Sequence, residues 1–527
     1  MVSLELKKKV GQMLMCGFPS AYVDDQARTL LEKYYVGNYI YFARNITGAE
    51  QLAALSKELS DMVYDALGAA PFLTLDQEGG IVSRLVEGAA LYPGAAAVSA
   101  ATRLTDEDLT RVRRLGRNAG DILRKCGINM DLAPDMDTNI EPANPVIGTR
   151  SYGDDPERVG AVASAMMLGM KDSLVAGVIK HFPGHGNVVS DSHLGIPVND
   201  TEEEVLNETE FKAFELGIRA GADAVMSAHV RYTKVDPDNP GTLSHKIQTE
   251  LLRGKMGFEG LSMTDCLEMD AIAVTYPRGE GAVRAIEAGV DILTISHTMK
   301  AISEAAEAIY AALESGRLSE ARIDESYRRI METKARMHLL ERQEIDPKKA
   351  MEAAFNPEYL QLADEISADA HTLLCGSFDT DLSSPNVLVA APPSLAVTGV
   401  EDMDPLSLTA LLSKKGICGI EIPLQGDAAV EPYTETIDRM IAEGKDHVIL
   451  ALYNARFRKS QEAILRHLEA KPVHLDVILM GAPYDLSLIH RADSVICAYE
   501  YTLLSVKTLI QALENKQFPG KTPFGKI

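Results

Sequence analysis

The densest concentration of reactive side chains is Lys180-His181-Phe182-Pro183-Gly184-His185-Gly186, followed closely by Asp191-Ser192-His193. Glycines and a proline keep this segment out of regular structure, and such a loop at a strand end can project several polar side chains into one pocket. Asp191 and His193 are two residues apart, so the carboxylate can accept a hydrogen bond from one imidazole nitrogen while the other faces a substrate. A histidine, with an ordinary pKa of ~6.5, donates and withdraws protons near neutrality. His181, His185, His193 and Asp191, joined by His229, are also acceptable zinc ligands. Lys180 opposes a cation there, and no Cys-rich or Glu-rich partner appears, so acid–base chemistry without a metal or other cofactor is the favoured reading.

Acid–base work needs a partner. Asp265 ends the apolar run Leu261-Ser262-Met263-Thr264, either as a helix cap or as a carboxylate reaching the axis of a barrel. An aspartate nucleophile with a separate proton donor is the apparatus of a retaining glycosidase, here with a histidine in place of the second carboxylate. Asp76-Gln77-Glu78-Gly79-Gly80 carries acceptors for sugar hydroxyls, and its glycines allow close approach of the backbone. Arg84, Arg150 and Lys180 can donate to hydroxyls or to an amide carbonyl; taken singly, each reads more simply as a surface ion pair. The chain has no tryptophan. Polysaccharide grooves use aromatic platforms, so a small pocket for one terminal sugar is expected.

The elements that must position these residues are short apolar runs alternating with helical patterns: Leu14–Phe18, Val36–Ala43, Phe72–Asp76, Met130–Ala133, Val178–His181, Val225–His229, Leu261–Asp265 and Ile292–Ser296. Continuous apolar strands imply a parallel sheet covered on both faces, and eight units close a (β/α)8 barrel. Asp76, His181, His229 and Asp265 all fall where such runs end, which is the catalytic face of a barrel. The expected fold is therefore α/β: a TIM-type barrel with trailing helices over residues 1–345, then a smaller α/β domain with a mainly parallel sheet over 346–527. The second domain carries neither a Gly-x-Gly-x-x-Gly nor a phosphate loop.

Composition narrows the function classes. Of 527 residues, 46% are hydrophobic and 24% charged, an ordinary globular balance. The net charge of −24 argues against nucleic acid and anionic membrane as partners. No apolar run approaches the ~18–20 residues of a membrane helix. The six cysteines are scattered, as free thiols in a reducing compartment would be, so a cytoplasmic location is expected.

These motifs resemble glycoside hydrolase family 3, and specifically its β-N-acetylglucosaminidase branch. The matching stretches are Gly37–Asn45, Asp76–Gly80 with Arg84, Pro145–Tyr152, Lys180–His193, Ala228-His229, Thr264–Ile272 and Gly520-Lys521-Thr522-Pro523. The resemblance implies that Asp265 is the nucleophile, His193 the general acid/base and Asp191 its orienting partner. Asp76, Arg84, Arg150, Lys180 and His181 would hold the sugar. It further implies an exo-acting enzyme on peptidoglycan-derived fragments. Phosphorolysis, with phosphate as the acceptor, and β-glucosidase activity are the alternatives. Ile81 stands where many relatives carry arginine, and Cys266, where aspartate or alanine is common, would sensitise the pocket to thiol reagents. The aglycone, the oligomeric state and the role of the second domain stay open.

Overall fold

A computed structural model describes residues 1–189, 195–277, 279–393, 407–424 and 428–525. Strands β1 (Leu14–Cys16), β2 (Asn38–Ile40), β3 (Phe72–Leu75), β4 (Met130–Asp131) and β5 (Ala176–Phe182) lie side by side in one parallel sheet. That sheet continues through β7 (Ala224–Ser227) and β9 (Leu261–Thr264), while β10 (Leu293–Ile295) pairs with β1 at its other edge. The ring is completed where Met263 bridges Ile292 and the Thr264 N–H donates to the Ile292 carbonyl at 2.9 Å. All eight barrel strands are buried along their length, which is why each reads as a continuous apolar run. Outside the ring, β6 (Val198–Asn199) and β8 (Arg231–Tyr232) form a small parallel ribbon.

Helices cover the barrel. The Asp106–Lys125 helix is capped by Thr105, which accepts from the Asp108 N–H, and it carries acidic residues in its first turn and basic ones in its last. Its apolar face meets the helix Pro156–Asp172 at backbone distance: a Cβ on Gly116 would lie 2.2 Å from the Met166 carbonyl oxygen, so only glycine fits. The helix Met299–Glu314 follows β10, and Glu320–Arg336 follows it.

The second sheet comprises β11 (Thr372–Gly376), β12 (Val387–Ala391), β13 (Cys418–Glu421), β14 (His447–Leu452), β15 (His474–Leu479) and β16 (Ser494–Cys497), in the order β11-β16-β15-β14-β12-β13. All its pairings are parallel except β11 with β16. Alternate residues feed two cores, Leu388 and Leu450 on one face, Val389 and Ile449 on the other. The barrel contributes Ala96, Ala97 and Ala100 to the first of these. Ala350, Ala354, Leu362 and Ile366, from the helices Pro347–Ala354 and Pro357–Ala370, pack in the core of the barrel. Among the described residues, no helix is long and apolar enough to cross a membrane. The six cysteines are free thiols.

Candidate active site

The C-terminal ends of the barrel strands surround a cavity of ≈ 400 Å³, lined by Asp76, Glu78, Arg84, Arg150, Lys180, His181, His185, Asp265 and Cys266, with Phe42, Met269 and His297 among its other walls. Five of these side chains form an alternating chain of charge. Arg84 donates to Asp76 Oδ2 at 3.2 Å, and Lys180 Nζ reaches Asp76 Oδ1 at 2.8 Å and Glu78 Oε1 at 2.6 Å. Arg150 closes the chain with a bidentate pair to Glu78, at 2.9 Å from Nε and 2.8 Å from a terminal nitrogen. Lys180 is only 1% exposed. Burial alone would strip its proton, but the charges of Asp76 and Glu78 outweigh it and hold the ammonium above its ordinary pKa. Burial likewise opposes ionisation of Asp76 and Glu78, and Lys180, Arg84 and Arg150 hold both below the usual carboxylate range. The three cations are thus components of a buried network and not surface pairs.

Asp265 follows β9, its N–H bonded to the Ser227 carbonyl and its Oδ1 accepting the Cys266 N–H at 2.7 Å. Burial disfavours its charge, but His181, His229, the Cys266 N–H and Lys180 together keep the carboxyl below its ordinary pKa. A carboxylate is therefore presented at the cavity in its ionised form. Cys266 differs from the expectation of thiol sensitivity: burial pushes its thiol up to about 11, so little thiolate exists near neutrality.

His181 is oriented from behind. Its Nδ1 donates to Asp137 Oδ2 at 2.7 Å, and the carboxylate also accepts the backbone N–H groups of His181 at 3.2 Å and His185 at 2.5 Å. Burial pushes His185 down to about 4, so its ring is neutral. Asp135, Asp137 and His181 place ligand atoms within 4.8 Å of one another. Asp137 spends its oxygens on His181 and His185, while Asp135 Oδ2 has an Arg150 guanidinium 3.7 Å away and no hydrogen bond among the described residues. His229 is bonded through Nδ1 to Thr242 at 2.7 Å and donates from Nε2 to the Cys266 carbonyl at 3.0 Å. Asp191 and His193 lie outside the described residues. Sequence reasoning overlooked Asp135 and Asp137. Their signal was three aspartates in seven residues, Asp131 to Asp137, beginning in the strand-like run Met130–Ala133 and continuing past its end.

The sequence profile described as the glycosyl hydrolase family 3 N-terminal domain matches residues 5–333. The chain belongs to glycoside hydrolase family 3. It is 35% identical over 294 residues to a β-hexosaminidase of Alkalilimnicola ehrlichii, a match covering 55% of this chain and 82% of that protein. β-Hexosaminidase A of Pseudoalteromonas piscicida is 29% identical over 328 residues, 58% of this chain and 54% of that protein, so the chain spans about half the length of that relative. A solved family 3 β-N-acetylglucosaminidase from Paenibacillus sp. str. FPU-7 superposes with a TM-score of 0.90 at 35% identity, covering 100% of this chain and 99% of that one. The barrel and the smaller, mainly parallel α/β domain foreseen from the sequence are both present, and the family is the one its motifs resembled.

Proposed function

We propose that this family 3 glycoside hydrolase removes terminal β-linked N-acetylglucosamine, with retention of configuration, and that its natural substrates are peptidoglycan-derived fragments. The observation that carries the reading is the ionised Asp265 carboxylate at the end of β9, in the same cavity as the Asp76–Lys180–Glu78 network. In the first step the Asp265 carboxylate bonds to the anomeric carbon while the glycosidic bond breaks and the departing oxygen takes a proton from His193. In the second, His193 takes a proton from water, the water oxygen bonds to the anomeric carbon, and the bond to Asp265 breaks. Asp191 orients His193, and Asp76, Arg84, Arg150, Lys180 and His181 hold the sugar. A cavity of ≈ 400 Å³ suits one sugar rather than a polymer. The names of the relatives and the Lys180–His193 motif support the N-acetyl specificity.

The test compares nitrophenol release from the β-N-acetylglucosaminide and the β-glucoside, with and without millimolar phosphate. The N-acetyl substrate should be strongly preferred, with no N-acetylglucosamine 1-phosphate formed. Asp265→Ala should lower kcat by at least ~1000-fold, since removing a nucleophile abolishes the covalent route. Full activity in that variant would sink the assignment.

A further inference from the structure

Glu500, in the second domain just after β16, reaches the barrel. It is 3% exposed, its Oε2 accepts the Gly94 N–H at 2.7 Å, and its Oε1 accepts the Thr502 hydroxyl at 3.0 Å. Gly80 passes so close that a Cβ on it would lie 2.4 Å from Oε2, and its φ of +56° is one that glycine adopts without strain. The loop that Gly80 belongs to carries Glu78 and Arg84 and is otherwise fixed by its own bonds: Gly80 N–H to the Tyr92 carbonyl, and Arg84 N–H to Gln77 Oε1 at 2.8 Å. Glu500 shares a small second cavity with Glu78, Ile81, Thr149 and Arg150, immediately behind the Glu78–Arg150 pair. It does not line the larger cavity that holds Asp265.

We infer that Glu500 is a positioning residue of the active site, by which the second domain holds the Gln77–Arg84 loop and so sets Glu78, Arg150 and Lys180 for the sugar. The inference rests on that cluster being the sugar-binding group. No cation forms an ion pair with Glu500 among the described residues. Glu78 and Arg150, the charged groups facing the same small cavity, are spent on each other. Ile81, which lines the same cavity, supplies none. Burial, offset in part by the Gly94 N–H and Thr502, pushes the carboxyl up to about 7, so Glu500 holds a proton on the acid side of neutrality. Its ionisation at higher pH places an uncompensated anion behind Glu78.

The experiment uses the full chain and whichever nitrophenyl glycoside the wild type cleaves fastest, so that a wrong sugar assignment leaves the comparison intact. Glu500→Ala should lower kcat/KM by about 10- to 100-fold, the loss expected from displacing a binding group by an ångström or less. Glu500→Gln keeps the acceptor but cannot ionise. It should stay within about twofold of wild type below neutrality, and above about 7 its rate should fall less steeply than the wild type's, leaving only the decline expected from loss of the proton on His193. Thr502→Val removes a donor to the carboxylate and should move the Glu500 part of the decline to higher pH. Should the alanine variant not fold, Glu500→Gln and Thr502→Val decide the matter. Variants that melt lower but keep the wild-type kcat, KM and pH profile would make Glu500 a domain clamp only and overturn the inference.

Discussion

Lys180 shows what a single side chain contributes to the site. It is buried between two carboxylates, and removing it leaves Asp76 to Arg84 alone and Glu78 to Arg150 alone. Losing charge-assisted hydrogen bonds whose acceptors keep another cation costs about 1.5–3 kcal/mol, so Lys180→Met should lose roughly that much stability in urea titration, with a raised KM. The pH dependence follows from the directions of the shifts. The ammonium is held above its ordinary value, so its contribution is complete below the unfolded pKa of ~10.4 and fades only in strong alkali. The carboxyls are depressed, so their contribution is present above their unfolded values near ~4 and is lost as pH falls through the folded ones. The wild-type advantage should therefore be level from about pH 6 to 9 and shrink below about 4. A gap that closed at neutral pH would contradict the network. The residue types were legible in the sequence; their pairing was not. Asp76, Arg84, Arg150 and Lys180 stood out as sugar donors and acceptors, but a count of charges cannot reveal that three cations share two carboxylates in a dry site. Asp137 carried a signal in its clustered aspartates, but its role was not legible, because it orients His181 from a different strand end.

At the scale of elements, legibility followed burial. The barrel strands announced themselves because both faces are covered, which makes them nearly continuous apolar runs. β11 went unread because its Leu373 and Leu374 are half-buried, its Cys375 and Gly376 are exposed, and it joins the sheet antiparallel at an edge. The bounds of the helix Met299–Glu314 were legible, but what holds its end was not, since capping contacts arise from distant segments. Besides the helix's own Thr298 cap, Glu268 from the loop after β9 accepts the His297 N–H at 2.6 Å, the Thr298 N–H at 3.0 Å and the Thr298 hydroxyl at 2.7 Å. A carboxylate at a helix N-terminus satisfies orphan donors and complements the helix dipole. Glu268→Ala should therefore cost about 1–2 kcal/mol by denaturation, in the range of a lost cap. Glu268 lies three residues beyond Asp265, so the same variant should lower kcat more than it changes KM. A variant with wild-type stability and kcat would show that the cap does not steady the catalytic loop.

For the whole molecule, the question is whether the two sheets behave as one body. The last described residues, up to Gly525, run back across the barrel: the Lys521 N–H donates to the Ala100 carbonyl at 3.0 Å, and the Gly525 N–H donates to Asp154 Oδ2 at 2.8 Å. Between them Phe524 is fully buried, its ring edge-on to Tyr484 at 5.3 Å between centroids. Asn139 donates to the Tyr484 hydroxyl at 2.8 Å, and Asn139 Oδ1 accepts the Gly148 N–H at 3.0 Å, two residues before Arg150. A continuous chain of contacts therefore runs from the tail, through the second domain, to a cation of the active site. Of this, the sequence disclosed only that Gly520-Lys521-Thr522-Pro523 resembles the end of the family's second domain; what the tail grips depends on docking. Phe524→Ala removes a fully buried ring and should cost about 3–5 kcal/mol. If the tail couples the domains, urea should abolish activity and far-UV ellipticity together, at a lower midpoint than in the wild type. If the barrel instead unfolds at its wild-type midpoint while the second domain melts earlier, then the domains are energetically independent and Arg150 is held by the barrel alone. Retention of wild-type kcat in the folded variant would point the same way, because a ring 0% exposed at a domain junction can reach the chemistry only through the contacts it maintains.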